Sequence, residues 1–191
     1  MLGGSILYTL FSERRVVMSE RELLSQHQSL LGSLTDLPRK MIELQNFENI
    51  AEFVLHGLCR EGNFNVTHAA YLVDNPDFDC LKGIAGFSVA ELGHLNENAW
   101  ANPDIFSDFM RESQFNQLVR SVNRNSARAH NQTKAVQEIA EAVGIPEHSV
   151  CNWELKHDNH GMLIYRKTDP NGPFDEHFIK SLYLLSFCPV F

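Results

Sequence analysis

Cysteine is scarce in this chain and widely scattered: Cys59, Cys80, Cys151 and Cys188 form no C-x-x-C pair. That spacing excludes a disulfide-stapled scaffold and fits reduced, mostly buried thiols in a cytoplasmic protein. Two N-x-[ST] matches, Asn65-Val66-Thr67 and Asn131-Gln132-Thr133, are then chance occurrences. Basic residues are in the minority, with 16 Lys and Arg against 24 Asp and Glu and a formal net charge of −8. A broad nucleic-acid footprint needs clustered cations, so this balance argues against one. Long apolar runs are missing too. A membrane span needs about 20 consecutive apolar residues, whereas Gly4–Phe11 is far shorter and no charged segment precedes it. Neither a span nor a signal peptide is therefore expected. No phosphate-cradling glycine loop, G-x-S-x-G or H-E-x-x-H occurs, so no portable catalytic motif points to an enzyme. Catalytic groups that meet only in space would leave no such motif. Asp175-Glu176-His177 offers acid–base groups but reads as the first turn of a helix, where carboxylates complement the dipole.

What is present is an ordinary globular chain, 191 residues with 43% hydrophobic content, enough for one domain and a terminal extension. Residues 1–18 read as an upstream or disordered lead-in, because Met18 followed by Ser-Glu-Arg-Glu looks like a natural start. Residues 19–38 form an N-terminal helix whose Leu23, Leu30 and Leu37 fall at heptad spacing. Such a stripe either pairs two chains or docks on its own domain. Residues 39–191 form the main domain. A helix is expected from Arg39 to Cys59, a strand over Val66–Val73, an Asp74-Asn75-Pro76-Asp77 turn and a returning strand over Asp79–Phe87. Ser88–Leu95 reads as a short helix capped by Ser88 and Glu91. A longer helix follows from Asn102 through Val119, its Ile105, Phe106, Phe109, Phe115 and Leu118 facing inward, then a polar loop and a helix over Thr133–Val143. Cys151, Trp153 and Leu155 alternate with Asn152, Glu154 and Lys156, the period of a half-buried strand. Asp158-Asn159-His160-Gly161 turns this strand back onto Met162–Lys167, and Phe174–Ser186 carries helical spacing.

The order helix, β-hairpin, helical middle, β-hairpin, closing helix resembles the GAF family of sensory domains, with the PAS fold as a neighbour. The resemblance rests on Asn46-Phe-Glu-Asn-Ile-Ala-Glu-Phe-Val-Leu-His-Gly-Leu, Thr67-His-Ala-Ala-Tyr-Leu-Val-Asp and Val143-Gly-Ile-Pro-Glu-His-Ser-Val. Gly161-Met-Leu-Ile-Tyr-Arg and Gly172-Pro-Phe-Asp-Glu-His-Phe-Ile-Lys-Ser-Leu complete it, so that it covers about 45–187. It implies an α+β fold: a central antiparallel sheet with helices on one side and a helical segment covering a pocket on the other. Family members usually place two further strands between Phe87 and His148, where this chain reads as helix. The resemblance also implies a cytoplasmic regulatory domain that binds a small molecule or a partner protein. It would signal through its terminal helices as a homodimer, as part of a bacterial-type transcription regulator or a cyclic-nucleotide signalling protein. No cofactor is identified.

Pocket candidates on this reading are Tyr71, His94, Trp100, Phe106, Phe109, Arg111, Phe115 and Trp153. The aromatics would line a small-molecule site or simply fill a core. His94, Arg111 and Arg120 would orient an anionic ligand or lie solvated on the surface. His148-x-x-Cys151 and His157-x-x-His160 have metal-like spacing but flank a tight turn and a buried strand position, so no metal site is assigned. Two rivals compete with the sensory reading. One is a DNA-binding helix-turn-helix over Val136–Trp153, marked by Ala140, Gly144 and Val150, whose second helix would set Glu147 and Glu154 against phosphate. The other is a structural dimerisation module with a filled core.

Overall fold

The computed structural model describes residues 32, 35–44, 46–59, 64–93, 99–126, 132–169 and 176–188. Its helical elements are α1 (residues 35–43), α2 (Ile50–Cys59), α3 (Pro103–Glu112), α4 (Gln114–Arg120), α5 (Gln132–Ala142) and α6 (Glu176–Leu182). The strands are β1 (Val66–Asn75), β2 (Cys80–Ser88), β3 (Asn123–Arg124), β4 (Ser149–Glu154) and β5 (His160–Lys167). They form one antiparallel sheet in the order β3-β2-β1-β5-β4. The architecture is α+β with a central antiparallel sheet, as the element pattern implied.

Strand β1 lies at the centre and is buried on both faces, which explains its unbroken apolar run. Ala69, Tyr71 and Val73 point into one core with Phe53, Phe87, Leu163, Phe178 and Leu185. Ala70 and Leu72 point into a second core with Phe115, Val119, Ile139 and Ile164. Helices α2, α3 and α6 belong to the first layer, whereas α4 and α5 cover the second. A bulge between Tyr71 and Leu72 keeps both sets in phase: Tyr71 faces Ala85 and Leu72 faces Gly83, leaving Ile84 as the extra residue.

Helix α4 lies directly on β2. A Cβ added to Gly83 would come within 1.8 Å of the Val119 carbonyl oxygen, and one added to Gly86 within 2.7 Å of the Val119 side chain. Helix α5 ends at Gly144 with φ 78°, and the Ile145 amide donates to the Ala140 carbonyl at 2.8 Å, a left-handed helix stop.

The closing hairpin follows its alternation, with Cys151 opposite Leu163 and Trp153 opposite Gly161. The strand runs Ser149–Glu154, so Leu155 and Lys156 belong to the turn. Because this segment is extended, the second helix of a helix-turn-helix over Val136–Trp153 does not exist. Trp153 packs flat on Tyr71 (ring centroids 5.7 Å apart, 12° between planes) and donates from Nε1 to Ser186 Oγ at 3.0 Å. These contacts tie the C-terminal turn Tyr183–Phe187 to the sheet.

Several element boundaries differ from the sequence reading. The expected Arg39–Cys59 helix is two helices, with residues 44 and 46–49 outside both. Residues 35–43 are helical on both sides of Pro38, so the helix boundary expected there is not a break. The expected Asn102–Val119 helix breaks at Ser113, which leaves the helical conformation (φ −56°, ψ 119°) and caps α4 by accepting from the Asn116 amide. Ser88 makes no capping bond, and among the described residues up to 93 only the short turn Val89–Glu91 follows it. Ile105 and Leu118, expected inward, are exposed. Among the described residues the middle holds one two-residue strand, β3, within the stretch expected as loop. Residues 1–31, His94 and the Asn171-Gly172-Pro173 break lie outside the described residues. Among the described residues no helix is long and apolar enough to cross a membrane.

Candidate functional site

The expected pocket residues do not converge on one cavity, because the sheet separates them. Tyr71 and Trp153 stack within the first core, and Phe115 belongs to the second. Phe106 is buried against Phe53 (4.5 Å) and the His56 ring (5.2 Å), with Phe109 at its edge. Trp100 is half-buried, in contact with Phe53, and lies under the Lys40 ammonium at 5.8 Å. Core packing accounts for all of these contacts. Arg111 is exposed and paired with Asp108 at 2.7 Å. Of the metal-spaced residues, Cys151 Sγ approaches the Tyr165 hydroxyl at 3.8 Å, and His148 Nδ1 lies 3.2 Å from the Pro146 carbonyl. Among the described residues no three His, Cys, Asp or Glu side chains gather as a metal site.

A different site emerges where α2, α3 and α4 meet. Helix α2 is enclosed on nearly all sides, and that enclosure buries a carboxylate: Glu52 is only 2% exposed. Its Oε1 accepts from Arg120 Nη1 at 3.1 Å and faces Asn116 Nδ2 at 3.4 Å. Burial pushes the Glu52 carboxyl above the usual range, against the opposing pull of its own backbone amide, Arg120 and Asn116.

Asn116 is the hub of the site. Its Oδ1 accepts from the Gly86 amide at 2.8 Å and its Nδ2 donates to the Met110 carbonyl at 2.8 Å. Its own amide donates to Ser113 Oγ at 3.0 Å. Ser113 in turn donates to Glu91 Oε2 at 2.5 Å, while Glu91 Oε1 accepts from the Phe115 amide at 2.9 Å. The sequence pairs Glu91 with Ser88 in a capping box; the structure uses the same carboxylate to cap α4 instead.

This chain of bonds backs a polar cleft of about 520 Å³ whose rim carries Asp104, Asp108 and Arg111. An adjoining cleft of about 510 Å³ runs over Lys82 and Gly83, and the two share Glu48, Glu52 and Arg120. Arg120, with 58% of its side chain exposed, lines both clefts. On the cleft wall Ser107 Oγ donates to the Pro103 carbonyl at 2.7 Å and lies 3.1 Å from Asn49 Oδ1, and Asn49 Nδ2 is buried with no hydrogen-bond partner. An orphaned buried donor beside a cleft is the kind of group that a ligand oxygen satisfies. The arrangement offers donors from Asn49 and Arg120 and an acceptor from Glu52, which suits polar recognition.

Sequence reasoning identified Arg111 and Arg120 as ligand-orienting candidates and missed Glu52, Asn49, Ser107 and Asn116. One signal was available: Glu52 is the sole carboxylate within the apolar run Ile50–Cys59. No protein-family model, curated protein or solved structure matches the chain.

Proposed function

We propose that the chain is a cytoplasmic GAF-like sensory or regulatory domain that takes a small polar molecule in the Glu52–Arg120 cleft. The observation that carries this reading is a carboxylate almost wholly withdrawn from water yet standing in the wall of an open cleft, beside the unpaired Asn49 amide. Burying an ionisable group is costly, and such groups concentrate at functional sites. The central antiparallel sheet supports the sensory fold, while the mostly helical middle departs from the family pattern.

Occupancy of the cleft would act by population shift. A ligand that engages Arg120 or Asn49 favours one relation of α2 to α4. Helix α2 shares the first core with Leu182 and Leu185 of the C-terminal segment, and the Tyr71 hydroxyl donates to the Leu185 carbonyl at 3.4 Å. Exposed Ile42, Tyr183 and Phe187 on the terminal elements offer an output element a surface to read.

Native mass spectrometry of freshly purified protein tests the reading. A small adduct is expected on the parent chain and absent from Arg120→Ala and Asn49→Ala variants that fold normally. An adduct-free parent chain that also shows no chemical-shift change at Asn49, Ser107 and Asn116 with mixtures of small polar metabolites would remove it. The filled second core supports a ligand-free structural module as the alternative, and that same negative result would favour it.

A further inference from the structure

Phe78 is 81% exposed at the tip of the β1–β2 hairpin, the most exposed of the large hydrophobic side chains described. It is nevertheless held on a well-tied turn. The Phe78 amide donates to Asn75 Oδ1 at 3.2 Å, and the Asp79 amide donates to the Pro76 carbonyl at 3.2 Å with Asp79 at φ 45°. The Asp79 carboxylate accepts from the Ser126 amide at 3.0 Å and from Asn125 Nδ2 at 2.9 Å. A pre-organised aromatic loses little freedom on docking, which is what gives such residues weight at interfaces.

Asn125 and Ser126 also line a cleft of about 580 Å³ between α4, β3 and α5. Its walls include Leu118, Val122, Ala135, Ile139 and Val143, and Arg124 is the one charged lining residue among the described residues. The turn that carries the knob is thus hydrogen-bonded to two residues of the hollow's wall, which sets the two side by side. Their charges match: Asp77, beside Phe78, is an exposed carboxylate, and Arg124 brings the cation. Arg124 pairs only at 3.5 Å with Glu138, which has Lys134 at 3.8 Å as a second cation. Arg124 can turn outward without stranding Glu138.

We propose that the chain pairs with a second copy of itself through this face, Phe78 of each copy entering the cleft of the other and Asp77 of each meeting Arg124 of the other. A self-complementary patch with adjacent knob and hollow is what a two-fold interface requires, because the same residues then serve both sides. The interface leaves the terminal helices free for output. It goes beyond the sensory reading and does not depend on it.

Sedimentation velocity of the full chain over a concentration series tests the proposal. The parent chain is expected to show a monomer–dimer equilibrium, and Phe78→Ala to raise its dissociation constant at least about tenfold, as for an interfacial aromatic anchor. Asp77→Arg and Arg124→Asp should each weaken the dimer, and the two combined should restore it. The charge-swap pair decides the matter on its own if Phe78→Ala folds poorly. A parent chain that stays monomeric throughout would overturn the proposal. So would a dimer indifferent to Phe78→Ala and to both charge reversals, or one lost only on Tyr183→Ala and Phe187→Ala.

Discussion

Two glycines in this fold illustrate how differently the same missing side chain can matter. At Gly83 the obstacle is the Val119 backbone oxygen, 1.8 Å from where a methyl would sit. Gly83→Ala must therefore push α4 off β2, and urea unfolding is expected to show a loss of about 2–4 kcal/mol, typical of overpacking that moves backbone. Gly144 has open space around it and only its left-handed φ of 78° to defend. Gly144→Ala should cost about 1–2 kcal/mol in the same experiment. Glu52 sets a pH dependence. Its carboxyl is raised, chiefly by burial, so the folded chain keeps the proton at pH values where the unfolded chain has lost it. Stability is then whole below the ordinary glutamate range, declines as pH climbs through that range, and reaches its lower plateau above the raised value. Glu52→Gln should flatten this decline in melting temperature against pH; an unchanged slope would mean that another group sets it.

At the scale of elements, the break between α3 and α4 is made by Ser113, whose hydroxyl accepts from the Asn116 amide and donates to Glu91. Ser113→Ala removes the cap and leaves Glu91 with one partner fewer, so a loss of about 1–2 kcal/mol is expected in denaturant titration, with Ser113→Thr recovering most of it. The same element shows what sequence can and cannot reveal. Strand β4 was legible because Cys151 and Trp153 alternate with Asn152 and Glu154 and nothing distant is needed to make that pattern. Helix α5 was legible for a similar reason, with Gly144 marking its end. The Ser113 break was not, since the Glu91 carboxylate that holds the Ser113 hydroxyl and the Phe115 amide lies 22 residues earlier in the chain. Glu52 escaped notice because one charged side chain on a helix ordinarily marks the solvated face. Only the packing of α2 on β1 and β2, with Asn116 and Arg120 of α4 reaching over, turns that position inward. The aromatic pocket misled because spacing does not say which side of a sheet a helix will cover, and Phe106 and Phe115 were sent to opposite sides.

Across the whole molecule, the four thiols report how tightly the layers close. Cys59 and Cys188 are buried while Cys80 and Cys151 are half-buried. Burial first, and the Glu52 charge second, push the Cys188 thiol up to about 12, and burial alone raises Cys59. Iodoacetamide at mildly alkaline pH should therefore label Cys80 well before Cys59 and Cys188, with denaturant erasing the difference in peptide-mass mapping. Equal labelling in the native state would indicate that the C-terminal segment opens freely. The position of β1 has a further consequence, for how the chain is made. Its first neighbour, β2, follows at once, but its second, β5, is paired through contacts such as Ala70 with Ile164. During synthesis the first hairpin can close while the other margin of β1 waits, with Tyr71, Leu72 and Val73 offering open backbone groups on an apolar strand. Such a margin is a template for wrong pairings until its true neighbour emerges. Recovery of this protein from a cell should thus depend on translation speed and chaperone supply, a vulnerability that belongs to the nascent chain and vanishes in the finished fold.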